Sequence, residues 1–297
     1  MPELPEVETL VRGLREILPG RRIVSVELGK TDFMDDPAAI ERELPGRRIE
    51  AVERYGKFML LRLSGTNGAG NDDATQGALL VHLGMTGHLA PMPAARPQEK
   101  HTHARFALDD GQELRYTDAR RFGRIAFFPA EKLRQELKPL GADPLEVSEE
   151  EFLARIGSRR ARIKALLLDQ HVLRGVGNIY ADESLWRANI HPARLGARLK
   201  REQILRLRRA LREILERAIL MRGSSISDFV DAEGEPGEYQ RRHRAYGREG
   251  KPCFRCKKVI RRMIVAGRSS YFCGGCQVPE RSARPRVGRK KLFLKKS

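Results

Sequence analysis

The sequence lacks several features that define other classes of protein. No stretch approaches the run of about 18 apolar residues that a membrane span needs. The first residues include Glu3, Glu6 and Glu8, which argue against the basic start of a secretory signal peptide. Cysteine is scarce: its four residues all lie between positions 253 and 276, so no thiols remain for disulfides elsewhere. We therefore expect a cytoplasmic protein.

Acidic residues are few relative to basic ones. There are 39 Asp and Glu against 57 Lys and Arg, and the formal net charge is +18 at pH 7. A balance this basic favours a polyanionic partner, either nucleic acid or an anionic membrane surface. A soluble protein from an arginine-rich proteome would also be basic, but that origin does not explain where the charges lie. Residues 281–297 contain eight basic residues and no acidic one, which predicts a disordered tail.

The first half of the chain has one helical pattern followed by strand-like segments. Apolar residues recur at helical spacing from Val7 to Leu18, and Pro19-Gly20 ends this helix. Loop composition marks residues 64–77 and 91–103. Strands are predicted at 22–28, 47–63, 78–89, 104–108, 113–117 and 124–128. The pattern indicates a β-sandwich or flattened barrel with one helix packed against it.

The second half has a helical period. Pro139, Gly141 and Pro144 mark a linker, and Ser148 with Glu151 forms a capping-box pattern that opens a helix. Further helices are predicted at 159–170, 178–188 and 200–221. This change of period predicts a separate helical region after the sheet.

The four cysteines have the spacing of a zinc site. Cys253-x-x-Cys256 is followed by Cys273-x-x-Cys276, so that each pair could bind one metal ion from a turn. Two disulfides or a redox pair are the alternatives, and a cytosolic chain disfavours both. Four thiolates leave no open coordination position, so we expect one structural Zn²⁺ rather than a catalytic one.

Two further features are weak when taken alone. Removal of Met1 would expose Pro2 as a secondary amine, which is partly unprotonated at neutral pH and can act as a nucleophile. The glycine-rich loop at 172–178 opens a helix near Asn178, and free N–H groups at such an end can bind phosphate. Most Met-Pro starts and glycine-rich turns have neither role.

Five segments occur together in one order and carry a family resemblance. They are P-E-L-P-E-V-E-T, H-L-G-M-T-G, R-Y-T-D-A-R-R-F-G, G-V-G-N-I-Y-A-D-E-S-L and the C-terminal zinc ribbon. Together they closely resemble the bacterial formamidopyrimidine-DNA glycosylases over residues 2–277. The loop at 65–77 and the tail after 280 lie outside the resemblance.

The resemblance implies three catalytic roles. Pro2 would be the nucleophile that attacks the anomeric carbon of the damaged nucleotide. Glu3 would be the general acid at the sugar ring, and Lys57 would lie on the hairpin that faces the phosphates of the lesion. Physically, a secondary amine that attacks a sugar carbon forms a cationic iminium, which can accept electrons in a later elimination.

The resemblance also implies contacts with substrate and DNA. Glu6 would orient the sugar, and the segment 223–241 would close over the extruded base. A wedge would fill the gap that the extruded nucleotide leaves, and its members are Met85, Arg120 and Phe122. Further DNA contacts are implied for His103, Lys164, Asn178, Tyr239 and Arg268.

The implied fold is α+β, with DNA in a cleft between two lobes. An N-terminal β-sandwich catalytic domain would occupy residues 1–133, followed by a linker at 134–148. A helical domain with a helix–two-turn–helix motif would occupy 149–246, a β-hairpin zinc finger 247–277, and the basic tail 278–297.

The implied activity is that of a monomeric, bifunctional glycosylase and AP lyase. It would excise 8-oxoguanine and formamidopyrimidines from duplex DNA, cleave the strand by β,δ-elimination, and associate with the nucleoid through DNA. An endonuclease VIII-like enzyme for oxidised pyrimidines is the nearest alternative, but Leu4 and the wedge sequence favour the purine branch. A catalytically idle lesion-binding protein is a second alternative, disfavoured by the joint presence of Pro2, Glu3 and Lys57. One departure is Ala119, where the family more often carries proline, which predicts a looser wedge loop.

Overall fold

The computed structural model describes residues 1–65, 76–226, 229–232 and 234–279. Its N-terminal half is a sandwich of two sheets. Helix α1 spans Leu4–Ile17 and helix α2 spans Pro37–Glu43. The strands are β1 (Ile23–Leu28), β2 (Met34–Asp35), β3 (Ile49–Tyr55), β4 (Phe58–Leu63), β5 (Gly77–His82), β6 (Gly87–Pro93), β7 (Thr102–Leu108), β8 (Gln112–Asp118) and β9 (Arg124–Pro129).

The two sheets enclose one apolar core. The four-stranded sheet has the order β1-β7-β8-β6, and the five-stranded sheet has the order β2-β9-β5-β4-β3. Side chains from both sheets join one face of α1 in a single cluster that includes Leu10, Leu61 and Phe106. The predicted β-sandwich is therefore confirmed, and it places the start of α1 at one end of the sandwich.

Some predicted segments are divided or extended. The predicted strand at 47–63 is two strands joined by a turn at Gly56-Lys57, and the one at 78–89 is interrupted by a turn that contains Met85. The predicted loop at 91–103 was too long, because β6 continues to Pro93 and β7 begins at Thr102. Of the predicted loop at 64–77, residues 66–75 lie outside the described residues.

The sandwich has more than the one helix that the sequence indicated. The side chain of Asp36 accepts a hydrogen bond from the Ala39 amide and so caps α2, which begins with Pro37. Helix α3 spans Ala130–Leu137 and extends into the segment expected to be a linker. It packs Leu133 and Leu137 on the outer face of the five-stranded sheet.

The second half is helical, as predicted. Its helices are α4 (Glu149–Gly157), α5 (Ile163–Leu168), α6 (Asn178–Arg187) and α7 (Arg201–Leu220). Ser148 caps α4 through a hydrogen bond from the Glu151 amide. These four helices share a core of leucine, isoleucine and valine side chains, into which Leu4 from α1 also inserts. No helix in the described part of the chain is long and apolar enough to span a membrane.

A two-stranded hairpin follows the helices. Strands β10 (Ile260–Val265) and β11 (Arg268–Cys273) are antiparallel and lie between the two cysteine pairs. The base of the hairpin packs on Trp186 of α6. The turn of the hairpin thus carries Arg268 toward the sandwich.

Candidate active site between the sandwich and the helices

The start of α1 joins the two halves of the molecule. The Leu4 amide donates to the Gly175 carbonyl at 3.0 Å, and the Glu3 amide donates to Glu6 Oε2 at 2.8 Å. Glu3 precedes the first turn of α1, where the backbone amides lack partners within the helix. The helix thereby fixes the backbone that carries Pro2 and Glu3 against the loop before α6.

Glu3 is buried at the N-terminus of α6. Its carboxylate accepts hydrogen bonds from the Ile179 amide at 2.9 Å and the Tyr180 amide at 3.4 Å. Gly177 makes this approach possible, because a Cβ there would lie 2.3 Å from the carboxyl carbon of Glu3. Burial raises the pKa of Glu3, while Lys57 and the two amides oppose this increase. Glu3 is therefore suited to hold a proton that it can later donate.

Glu6 is a second buried carboxyl group beside Glu3. Its Oε1 accepts hydrogen bonds from the Tyr180 hydroxyl and from the Ser224 amide, the latter at 2.7 Å. Burial and the nearby Glu3 carboxylate raise the pKa of Glu6 to about 7. The two carboxyl groups thus form an interacting acid pair at the junction.

Lys57 lies in the turn between β3 and β4 and is mostly buried. Burial lowers its pKa, and the carboxylates of Glu3 and Glu6 oppose this decrease. The sandwich therefore presents an amine that interacts electrostatically with the acid pair.

These groups line a cavity of about 950 Å³. Pro2 is buried in its wall, while Met1 is 51% exposed beside it. Side chains from both halves and from the hairpin complete the lining, and those predicted from the sequence are Pro2, Glu3, Glu6, Lys57, Met85, Asn178 and Arg268. The Oδ1 atom of Asn178 is buried and accepts no hydrogen bond from the described residues, so among them it is left for a ligand. The cavity therefore brings together seven of the predicted site residues.

The other two wedge residues lie outside the cavity lining and are exposed. Phe122 is 55% exposed and Met85 is 39% exposed, unusual values for large apolar side chains. The guanidinium of Arg120 lies over the Phe122 ring, 4.5 Å from its centroid. The three predicted wedge residues are thus accessible to a partner.

Three residues for which DNA contacts were predicted have buried side chains in this structure, and their contacts with DNA stay predictions. Lys164 is fully buried, pairs with Asp182 at 2.7 Å and donates to the Ser269 carbonyl at 2.8 Å. It therefore anchors the zinc hairpin beside Arg268. Tyr239 is 4% exposed and packs on Tyr180 and His243.

His103 is the third of these. It is 6% exposed, and its Nε2 lies 3.1 Å from the Asp118 carbonyl oxygen. The neighbouring His101 is exposed instead. Sequence spacing could not distinguish these two histidines, because it does not show that β7 begins at Thr102, which leaves His101 before the strand with a φ of +67° and places His103 within it.

Among the other residues of the cavity lining, two that the sequence analysis did not name individually help to shape the site. Tyr246 is half-buried in the cavity wall, and its amide donates to Glu183 Oε1 at 2.8 Å. Glu183 also accepts from the Arg244 and Ala245 amides, so one buried carboxylate shapes this turn. Ser224 is the other, and its backbone amide binds Glu6. Neither residue stands out by composition, since both lie in a segment without regular periodicity.

The four cysteines fit a zinc ion. Their sulfur atoms all lie within 4.8 Å of one another, and the Cys253–Cys276 distance is 3.9 Å. Tetrahedral zinc with Zn–S bonds of about 2.3 Å separates its sulfur ligands by about 3.8 Å. The indole N–H of Trp186 donates to the Cys253 sulfur at 3.4 Å, as expected for a thiolate held by neighbouring donors. The predicted structural zinc site is thereby confirmed.

Comparison with known proteins gives a consistent assignment along the chain. Residues 1–125 match the model of the formamidopyrimidine-DNA glycosylase N-terminal domain, and residues 140–230 match that of its H2TH domain. Residues 250–278 match a zinc finger found in FPG and IleRS.

Full-length relatives show the same assignment. The formamidopyrimidine-DNA glycosylase of Solibacter usitatus is 46% identical over 279 residues, which cover 93% of this chain and 99% of the relative. That of Desulforamulus reducens is 43% identical over 284 residues, with coverage of 93% and 99%.

Solved structures agree in fold. A mutant of Lactococcus lactis FPG in complex with Fapy-dG containing DNA superimposes with a TM-score of 0.84 at 33% identity, covering 94% of this chain and all of that one. The MutM (FPG) protein of Thermus thermophilus has a TM-score of 0.80 at 39% identity, with coverage of 93% and 98%.

The fold and the buried acid pair define a two-lobed DNA glycosylase with a zinc finger. The chain belongs to the formamidopyrimidine-DNA glycosylase family.

Proposed function

We propose that this DNA glycosylase excises oxidised purines, 8-oxoguanine and formamidopyrimidines, from duplex DNA and then cleaves the strand through Pro2. The observation that carries the proposal is the convergence of Pro2, Glu3, Glu6 and Lys57 in one cavity. A buried nucleophile beside a carboxyl group of raised pKa suits attack on a sugar carbon with acid assistance.

The proposed reaction starts with the Pro2 nitrogen, freed by removal of Met1. Its lone pair forms a bond to C1′ as the glycosidic bond breaks, and the electron pair of that bond leaves with the base. The Pro2 nitrogen then loses its N–H proton, and the departing base takes up one proton in exchange, relayed through water. Glu3 donates its proton to the ring oxygen of the sugar, so that the C1′–O4′ bond opens and a cationic iminium forms. The iminium then accepts electrons in the elimination steps.

Strand cleavage follows from this intermediate. Loss of a proton from C2′ expels the 3′ phosphate, and a second elimination expels the 5′ phosphate, which leaves a gap of one nucleotide. Lys57 from the sandwich and Arg268 from the zinc hairpin both line the cavity and would supply positive charge for these phosphates. Asn178 adds a half-buried polar side chain at the N-terminus of α6.

The lesion must leave the base stack before this chemistry can begin. Extrusion costs a few kcal/mol, and an apolar wedge can offset part of the stacking that is lost. Met85 and Phe122 are exposed apolar side chains suited to this task, and Arg120 can donate hydrogen bonds to the unpaired base opposite the lesion. The segment that begins at Gly223 would close over the extruded base.

Four thiolates would hold one Zn²⁺, which supplies structural stability to the hairpin rather than chemistry at the sugar. Lys164 and Asp182 then fix that hairpin to the helices, so that Arg268 keeps its place in the cavity. We further propose that the protein acts as a monomer in the cytoplasm, bound to the nucleoid.

Related proteins support the choice of substrate. Solved structures of Lactococcus lactis Fpg contain DNA with Fapy-dG, an abasic site or an oxidised pyrimidine. Oxidised pyrimidines are therefore the second candidate class of lesion, and the test must include them.

The test is borohydride trapping on matched duplexes that contain 8-oxoguanine, an oxidised pyrimidine or no lesion. We expect a covalent adduct with 8-oxoguanine opposite cytosine, with faster trapping than on the oxidised pyrimidine. Pro2→Gly should trap far less while it still binds the lesion duplex, because it keeps an amine but loses the secondary amine and the ring. Wild-type-like strand cleavage by protein that retains Met1 would contradict the assignment of Pro2.

A further inference from the structure

The proposed wedge comes from two connections that cross between the sheets side by side. Residues 83–86 lead from β5 to β6, and residues 119–123 lead from β8 to β9. The strands pair on both sides of these connections, with His82 opposite Arg124 and Gly87 opposite Asp118. Strand pairing therefore places the Met85 turn directly beside the loop that carries Arg120 and Phe122.

Asp118 bonds to both connections although its side chain is fully buried. Its Oδ1 accepts from the Thr86 hydroxyl at 2.6 Å and from the Arg120 amide at 3.1 Å. Its Oδ2 accepts from the Gly123 amide at 2.9 Å and from the Tyr116 hydroxyl at 3.2 Å. These donors hold the pKa of Asp118 below its ordinary value although burial opposes them.

Thr86 and Gly84 add two further links. The Thr86 hydroxyl accepts from the Arg120 amide at 3.2 Å, so Thr86 bonds to the second connection as both donor and acceptor. Gly84 has a φ of +59°, and a Cβ there would lie 2.3 Å from the carbonyl group of Phe122. The backbones of the two connections are therefore in direct contact.

Of the two adjacent arginines, one is already engaged. Arg121 adopts a φ of +55° and pairs with Asp32 at 2.6 Å, which turns it away from Phe122. Arg120 instead lies over the Phe122 ring. The loop thus presents a single arginine together with the apolar wedge.

We infer that Asp118 and Thr86 are positioning residues that join Met85, Arg120 and Phe122 into one preorganised wedge. The inference rests on the proposed insertion of these residues into the duplex. Groups that are fixed before binding lose less conformational entropy when they insert than groups on independent loops.

The experiment compares Thr86→Val with Thr117→Val. Thr117 is a half-buried threonine on β8 whose side chain makes no hydrogen bond to any described residue, so it is a matched control. Thr86→Ser, which keeps the hydroxyl, is the rescue variant. Single-turnover excision of 8-oxoguanine is measured with each protein at saturating concentration, on a duplex with cytosine opposite the lesion and on one with adenine. Borohydride trapping is measured on a single-stranded abasic oligonucleotide, also at saturating protein.

Single-stranded abasic DNA has no opposite base and no stack to replace, so it tests Pro2 without the wedge. We expect Thr86→Val to lower duplex excision about five- to tenfold, the effect of losing one or two hydrogen bonds. It should also reduce the preference for cytosine over adenine, because Arg120 loses its orientation. Trapping on the single strand should stay at the wild-type rate. Thr86→Ser and Thr117→Val should resemble wild type in every assay.

Two results would overturn the inference. In one, Thr86→Val matches Thr117→Val in both excision rate and opposite-base preference. In the other, Thr86→Val loses duplex excision and single-strand trapping by the same factor, which indicates a general defect. Failure of the wild-type protein to trap on any abasic DNA would instead contradict the proposed chemistry of Pro2. Where the wild-type protein does trap, Asp118→Asn, which keeps one acceptor oxygen, should reproduce the effect of Thr86→Val.

Discussion

At the scale of single residues, the site depends on carboxyl groups that burial keeps partly protonated. Glu3 accepts two backbone hydrogen bonds yet has a raised pKa, so desolvation outweighs the amides and Lys57. Lys57 shows the opposite shift for the same reason. The cavity thus favours the neutral form of both kinds of group, which suits proton transfer near neutral pH.

Glu3→Gln tests the role of general acid. The amide keeps an oxygen that can accept from the Ile179 amide, but it has no proton of suitable acidity to donate. We expect base excision to fall by about 10²–10⁴-fold, with little change in thermal stability. Excision kinetics measured beside a melting curve decide the point, and a large melting shift with intact excision would make Glu3 structural.

Glu6 should make stability depend on pH. Its pKa of about 7 in the folded protein lies above the value of 4.5 for an unperturbed side chain. A group with a raised folded pKa contributes its full stability below the unfolded pKa and loses it as pH rises through the folded pKa. The free energy of unfolding should therefore decrease between pH 5 and pH 8, on the order of 1–3 kcal/mol from this group.

Glu6→Gln is the comparison for this pH effect, because the amide does not titrate. Urea unfolding at pH 5, 6, 7 and 8 should show a flatter profile for Glu6→Gln than for wild type. Parallel profiles for the two proteins would contradict the raised pKa of Glu6. Glu16→Gln is the matched control, since Glu16 is exposed on the same helix outside the cavity lining.

At the scale of elements, the zinc hairpin delivers one side chain to the cavity. Strands β10 and β11 are short, and the few apolar contacts of the hairpin center on Trp186. We expect one zinc per chain, and Cys256→Ser should lose zinc and DNA affinity together. Borohydride trapping at saturating protein should persist, because Arg268 is the proposed phosphate contact while Pro2 lies just before α1, away from the zinc hairpin. A metal-free protein with full affinity for DNA would refute this.

The zinc site and the division of the chain into a β-sandwich and a helical half could be predicted from the sequence. Cysteine spacing gave the zinc site without any relative, and the periods of 2 and 3.6 separated the sandwich from the helices. The sequence pattern does not reveal the turns at Gly56 and Met85, because apolar residues closely flank both turns. It therefore predicts one longer strand in place of each pair of strands. The burial of Lys164, His103 and Tyr239 could not be predicted, because burial of a polar side chain depends on packing between elements distant in sequence, such as α5, α6 and β11.

At the scale of the whole molecule, ion pairs hold the sandwich and the helical half together beside the cavity. Arg54 of β3 bonds to Glu8 of α1 and to Asp143 of the connecting segment, each at 2.8 Å. Arg174, from the loop before α6, lies over the Tyr55 ring at 4.2 Å from its centroid. These contacts link three parts of the chain, so the relative position of Lys57 and the acid pair is a property of the whole fold.

The basic tail acts at this scale too. Residues 280–297 lie outside the described residues, so the prediction rests on composition: eight basic residues within 281–297 and no acidic one. Lysine and arginine can neutralise phosphates without a precise geometry, and each phosphate neutralised contributes about 0.9 to the slope of log affinity against log salt. We therefore expect the tail to act as a nonspecific DNA tether that speeds the search for lesions.

Truncation after Glu280 should weaken binding to undamaged duplex and flatten its salt dependence. Single-turnover excision at saturating enzyme should change little, because Pro2, Glu3 and the wedge lie in the part of the chain that is retained. Binding to undamaged duplex, measured from 50 to about 200 mM salt, gives the two slopes. Identical slopes for the full-length and truncated proteins would mean that the tail neutralises no phosphate and contributes only to solubility.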